Sequence, residues 1–193
     1  MTVEDLKKQI EDRLGLAFLL EDVIIAFNEC LMDLAEVLRL ETIAYADLTE
    51  EHRTVALPTH SSSGDVYELI MVKASKNGEL PRINLNDDVS KGYKYFGKEM
   101  TFQELVLPDQ VTIWYYRYPN LITALADVPD IPERFVHALK YYFIAQYQQE
   151  DEELELEENY WNKYYRVKSE IDKHTTKQRG MHRARHIKPA VWR

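Results

Sequence analysis

The apolar residues of this chain keep two different periods, and that change of period limits the fold more than any composition figure. Ile24, Phe27, Leu31, Leu34 and Leu38 recur at steps of three and four, which places all five on one stripe of a helix expected over 22–40. From Glu41 the spacing shortens to two: TIAYADL, HRTVALP and VYELIMVKASKNGELPRINL alternate apolar with polar residues or concentrate β-branched ones, and the β-rich character holds to about residue 118. Helical spacing returns near residue 130. A stripe built for a helix cannot lie on a sheet, nor the reverse, so the class is α+β. The expected architecture is an antiparallel helical bundle with a β-rich insertion and an extended C-terminal arm. The bundle would take residues 1–40 and 128–173, the insertion 41–127 and the arm 174–193. At 193 residues and 45% hydrophobic content, the chain suits one domain, or one domain with an elaboration.

Element boundaries carry their own signals. Thr2 followed by Asp5 has the spacing of a capping box, and Leu6, Ile10 and Leu14 continue a short amphipathic helix that Gly15 stops. Asn77-Gly78 is a hairpin signal, because both residues tolerate the positive φ of a tight turn. The strand VTIWYYRYP sends Val111, Ile113, Tyr115 and Arg117 to one face and Thr112, Trp114, Tyr116 and Tyr118 to the other. Such an aromatic strand suits either an interaction face or a sheet core, and core packing is the favoured reading. Asp130 and Glu133 repeat the capping-box spacing, and Pro132 falls in a first turn where its missing N–H costs nothing. Phe135, Leu139, Tyr142 and Tyr147 mark a helix to about Gln149. Leu156, Tyr160, Tyr164, Val167 and Ile171 mark a last one over roughly 154–173.

No catalytic set can be assembled from these residues. Glu150–Glu158 packs seven carboxylates into nine residues, but lacks the spacing and Gly pivot of a Ca²⁺ loop, so it reads as a solvated corner. Asp87 and Asp88, after Asn84 and Asn86, read as a turn. His182 and His186 stand four apart without a third ligand, and His52, His60 and His137 are scattered over different elements. Nucleophile elbows and phosphate-cradling Gly loops are both missing. Neither cofactor nor metal is expected, and no enzymatic activity. The single cysteine, Cys30, sits in an apolar helical stretch and reads as a packing residue, which fits a reducing compartment. The N-terminus is charged and amphipathic, and no run approaches the roughly 18 apolar residues of a membrane span. Secretion and membrane insertion are therefore not expected.

Charge singles out the other end. Residues 173–193 hold seven Lys or Arg and no Asp or Glu, while the whole chain is at −9, so residues 1–172 carry −16. A segment of this composition cannot bury enough apolar area to fold alone and reads as an arm for another surface. Arg179, Arg183, Arg185 and Lys188 supply charge; Met181, Ile187, Val191 and Trp192 are apolar anchors that a solubilising tail would not need. Arginines on phosphates with His or Trp stacked on bases is one reading, that of a nucleic-acid-binding virion or accessory protein. The acidic body repels a polyanion at long range, so a protein partner is favoured.

The order of the pieces is distinctive: a helix carrying N-E-C-L-M-D-L-A-E-V-L-R-L from Asn28, a β-rich block ending W-Y-Y-R-Y-P at Trp114–Pro119, then D-V-P-D-I-P-E-R-F at Asp127–Phe135 opening two Tyr-rich helices. This resembles the head-to-tail adaptor (connector) proteins of tailed bacteriophages, whose pattern joins a strand ending in Tyr-Arg-x-Pro to a Pro-Glu-Arg/Lys motif opening a Tyr-rich helix. Tyr115–Pro119 and Val128–Tyr142 match best, and the likeness covers about residues 1–173. The resemblance implies a structural subunit of the virion neck, made in the host cytoplasm and assembled into a ring of roughly twelve copies. Such a ring docks beneath the portal protein, offers its other side to a tail, stopper or nozzle protein, and lets DNA pass without specific binding during genome ejection. On this reading Phe135, Tyr142, Tyr147, Tyr160 and Tyr164 pack between subunits. Arg179, Arg183, Arg185, Ile187, Lys188, Val191 and Trp192 form a portal-binding arm, and the hairpin at Asn77-Gly78 is a decoration facing a tail partner.

Overall fold

The computed structural model describes residues 1–57, 66–84, 91–97, 99–150 and 154–186. These fall into two compact units, one of residues 1–39 and 119–193 and one of residues 40–118.

The first unit opens with helix α1 (Val3–Leu14), and all four of its first donors are engaged. Thr2 and Asp5 form the capping box reciprocally, with the Asp5 N–H donating to Thr2 Oγ1 at 3.2 Å and the Thr2 N–H to the Asp5 carboxylate at 2.9 Å. The Val3 and Glu4 N–H groups donate to the carbonyls of Asp127 and Leu125 at 3.0 Å each, and that of Leu6 to Thr2 O at 3.2 Å. Gly15 ends the helix at φ 72°, where a side chain would be strained. Helix α2 (Leu20–Leu38) buries Val23, Phe27, Cys30, Leu31, Leu34 and Leu38, so its stripe is centred one residue from the expected one, with Ile24 half-buried. Arg39 then takes φ 48° and turns the chain into a strand, which is why the helix stops short of Leu40.

Residues 119–135 return the chain to the helices and are fastened by side chains. Asn28 brackets Ile122, its Nδ2 donating to the Ile122 carbonyl at 2.9 Å and its Oδ1 accepting from the Ile122 N–H at 2.8 Å. Asp127 accepts from the N–H groups of Thr123 and Ala124, and those bonds hold its carboxyl below the ordinary range. The expected capping box at Asp130 does not form. The Asp130 carboxylate accepts instead from the Asn120 N–H at 3.0 Å, Pro132 stays extended, and a single 3₁₀ turn (Glu133–Phe135) precedes helix α3 (His137–Glu150). Helix α4 (Leu154–His186) packs against α3 and buries Tyr160, Tyr164, Val167 and Ile171.

The second unit holds seven strands among the described residues: β1 (Leu40–Leu48), β2 (Thr54–Ala56), β3 (Val66–Ala74), β4 (Gly78–Glu79), β5 (Gly92–Phe96), β6 (Glu99–Gln103) and β7 (Asp109–Arg117). They form two antiparallel sheets, in the orders β1-β7-β3-β4 and β2-β6-β5. Their shared core includes Val72, Val111, Ile113 and Tyr115 from the first sheet and Tyr93, Met100 and Phe102 from the second. The hairpin β3–β4 turns where Asn77-Gly78 predicts, with Gly78 at φ 76°. Gly92 is required for a different reason: a Cβ there would stand 2.3 Å from the Pro81 carbonyl oxygen.

The expected class is thus corrected on two counts, within an α+β description that holds. Two antiparallel sheets of seven strands among the described residues, sharing their own core, replace a helical bundle carrying an insertion. Alternation along single strands shows that they are half-buried, but not that two sheets bury each other. The arm is not extended over 174–186, where α4 simply continues. Extending an existing helix costs far less than nucleating one, no Pro intervenes before Pro189, and basic residues in the last turns complement the helix dipole.

Candidate interaction surfaces

Aromatic side chains crowd the contact of α3 with α4. The Tyr142 ring lies 5.3 Å from Trp161 and 5.2 Å from Tyr164, both edge-on, and Trp161 stacks on Tyr165 at 5.8 Å. Phe18, in the α1–α2 connection, sets its ring 5.0 Å from both Phe143 and Tyr147. Hydroxyls inside this cluster need acceptors, and α2 supplies one. Tyr164, 1% exposed, donates to Asp33, which also accepts from Lys168 Nζ at 2.8 Å. Arg13 Nε donates to Tyr160 OH, and Gln146 Nε2 bridges Tyr142 OH and Glu29 at 3.2 and 3.1 Å.

Burial governs the titration of this region. It pushes the Tyr142 hydroxyl up to about 12, with the Glu29 charge adding to it, and it raises Tyr164, with Cys30 and Asp33 acting in the same direction. The Cys30 thiol is likewise raised by burial and stays protonated, so it packs rather than reacts. His137 is lowered by burial and by the Lys140 charge.

The expected contact residues separate by exposure. Phe135, Tyr160 and Tyr164 are spent in the core of their own unit, whereas Tyr142 and Tyr147 are half-buried. Trp161 and Tyr165, which the periodic reading passed over, extend the aromatic surface outward, Tyr165 at 57% exposure. Tyr165 follows the buried Tyr164 by one residue, and a helix turns about 100° per residue, so it points away from the core.

The basic end of α4 begins past Phe135, whose ring lies 6.1 Å from His174. Lys173 and Lys177 are exposed there, and Arg179, Arg183 and Arg185 follow on the same helix. Ile187, Lys188, Val191 and Trp192 lie outside the described residues, as do His60, Asp87, Asp88 and the Asp151–Glu153 part of the acidic run.

In the β unit the hairpin turn is fastened to the segment before β7. Asn77 Nδ2 donates to Asp109 at 2.8 Å and to the Val106 carbonyl at 3.2 Å, while Asn77 Oδ1 accepts from the Val106 N–H at 3.2 Å. Asp109 also accepts from the N–H groups of Lys76 and Gln110. Its burial alone would raise the carboxyl pKa, but the bonds from Asn77, Lys76 and Gln110 win and hold it below the ordinary range. The two faces of β7 differ: Val111, Ile113 and Tyr115 are buried, whereas Thr112 and Trp114 are only half-buried. Trp114 sits in register with Ile43 on one side and Met71 on the other. On the same face Ile43 and Tyr45 are 44% and 67% exposed.

Among the described residues no three His, Cys, Asp or Glu side chains converge to hold a metal, and no helix is long and apolar enough to cross a membrane. What the geometry offers is surface: an aromatic face on α3 and α4, a basic helix end, and a partly apolar sheet face. A family model described as SU10 adaptor protein matches residues 1–187, and a search of curated proteins finds no match.

Proposed function

The chain belongs to the SU10 adaptor protein family, a family of phage head-to-tail adaptors, and from that premise we propose that it assembles into a ring beneath the portal. In this reading the ring, of roughly twelve copies, joins the DNA-filled head to the tail and lets DNA pass through its centre. The family makes the chain a structural component of the phage particle whose role is to contact other structural proteins of that particle. The portal above, a tail, stopper or nozzle protein below, and neighbouring copies at the sides are the partners proposed.

The observation that carries this reading is the extent of the family match, which spans both units and reaches the basic helix end. The charge layout of α4 supports it. This helix has 33 residues and is about 50 Å long; Glu155, Glu157 and Glu158 lie in its first turns, and Lys173, Lys177, Arg179, Arg183 and Arg185 in its second half. A rod with opposite charge at its two ends suits a protein that must meet two different partners. Arg179, Arg183 and Arg185 would dock the helix on an acidic surface of the portal, with Ile187, Lys188, Val191 and Trp192 adding grip, each contact weak and multiplied around the ring. Tyr142 and Tyr147 retain surface for a neighbouring copy, and Phe135, Tyr160 and Tyr164 hold that surface in shape from beneath.

Electron microscopy and light scattering of the full chain mixed with its portal protein test the proposal. Rings attached to the portal are the expected result, and neither rings nor complex would overturn it. Removing residues 175–193 is expected to abolish attachment with the helical and sheet signals kept. Unchanged attachment would remove the arm from the proposal. DNA affinity that falls steeply with salt, and is lost in the same truncation, would instead favour the nucleic-acid reading.

A further inference from the structure

We propose that the free edge of β1 is a docking site for an extended strand of a partner protein, one with alternating apolar residues and Lys or Arg at both ends. The β unit offers four sheet edges among the described residues, and three are poor templates. β2 has three residues and β4 has two. β5 is already engaged on its outer side at Tyr93, which accepts from the Ile83 N–H at 3.0 Å and donates to the Pro81 carbonyl at 3.1 Å. β1 differs from all of them. It is nine residues long, pairs with β7 in unbroken register from Leu40↔Arg117 to Leu48↔Asp109, and contains no Pro, Lys or Arg. Among the described residues, no backbone hydrogen bond reaches it except from β7.

Proteins blunt open edges with short strands, Pro, bulges or charged side chains, especially Lys, and of these β1 carries only the carboxylates Glu41 and Asp47 near its ends. Alternate residues of an edge strand turn their N–H and C=O groups away from the sheet, which is what an added strand requires. The exposed side chains alongside are Glu41, Ile43, Tyr45 and Asp47. Ile43, Trp114 and Met71 already form an apolar row three strands wide, and a strand laid beside β1 extends that row by one.

The charges choose the occupant. A second copy of β1 laid antiparallel about Ala44 would set Glu41 against Asp47 at both ends. Laid parallel in register, it would set Glu41 against Glu41 and Asp47 against Asp47. Like charges placed opposite one another destabilise a ladder, and the antiparallel contact would close a two-fold dimer rather than continue around a ring. A strand with basic ends turns both repulsions into attractions. This contact is separate from the proposed portal arm, which belongs to the other unit, so either can fail without the other.

The test uses the full chain and two seven-residue peptides, matched to the span Glu41–Asp47 of β1, that place Val opposite Ile43 and Tyr45 and Thr at the residues between, with terminal lysines or terminal glutamates. The lysine-ended peptide is expected to slow hydrogen exchange at alternate β1 amides and to bind about tenfold more tightly than the other, since two cross-strand charge pairs change sign. In the doubly substituted Glu41→Lys/Asp47→Lys chain, checked for an unchanged circular dichroism spectrum, the preference is expected to reverse. Equal binding of both peptides, no reversal, or no protection of β1 by either peptide overturns the proposal. So does concentration-dependent protection of β1 in the free chain, because that makes a second copy the occupant.

Discussion

The two units answer the same problem, burying polar groups beside aromatic ones, in opposite ways. In the helical unit the central acceptor, Asp33, is partly exposed and draws donors from far along the chain, Tyr164 and Lys168. In the β unit the central acceptor, Asp109, is buried, and its donors come from its own neighbour Gln110 and from the hairpin turn at Lys76 and Asn77. The first network ties α2 to α4, elements already held by periodic apolar faces. The second fixes where β7 begins, and β7 pairs with both β1 and β3. Loss of the first should therefore loosen a contact, and loss of the second should disturb a register.

The strongest way to break this contrast is to damage the sheet core alone. Tyr115→Ala removes a side chain 1% exposed between the sheets and is expected to cost about 3–5 kcal/mol, as large aromatic truncations do. Hydrogen exchange should show β7 amides losing protection while α3 amides keep theirs; equal loss in both would mean that the units unfold as one. A smaller effect is expected from Asp33→Ala, which leaves the buried Tyr164 hydroxyl without its carboxylate and should lower stability by about 1–3 kcal/mol. Adding Tyr164→Phe should recover part of that loss in thermal denaturation, and no recovery would show that the hydroxyl is not the cause.

The smallest effect should appear as a pH dependence. Asp109 has a folded pKa below its unfolded value near ~3.9, so its stabilisation is fully present above that value and is lost as pH falls through the folded pKa. Asp109→Asn should remove about 1 kcal/mol at neutral pH and flatten the acid limb of a urea-stability profile. An acid limb as steep as before would assign it to other carboxylates.

Local signals were legible where a residue's partner lies within one turn of it. The Thr2–Asp5 box, the α2 stripe and the Asn77-Gly78 hairpin needed only short spacings; the box and the hairpin appear in place and the stripe is displaced by one residue. The Asp130–Glu133 box had the same spacing and failed, because Asn120 offers Asp130 an N–H that no local pattern announces. Arg39, in a left-handed conformation, likewise ends α2 without a Gly to signal it. In the candidate surfaces, periodicity put Tyr142 on one helix and Tyr160 and Tyr164 on the next, and only the family resemblance grouped them as contacts between subunits. Which of them retain surface depends on the side chains of α1, α2 and α3 set against α4, and Tyr165 emerges only once Tyr164 is seen to face inward.

By itself the sequence determined that the chain is α+β, where most elements lie, that its basic end is set apart from an acidic body, and which family it resembles. These are properties of spacing, composition and order, readable without knowing what touches what. Only the tertiary structure decided that the strands make two sheets with a common core, that β1 ends its sheet among the described residues, and that Asp33 and Asp109 gather the donors they do. Each of those facts depends on segments far apart in the chain meeting one another. Alternation shows that a strand has a buried face but not which strand lies beside it, so pairing and edges are settled by packing alone.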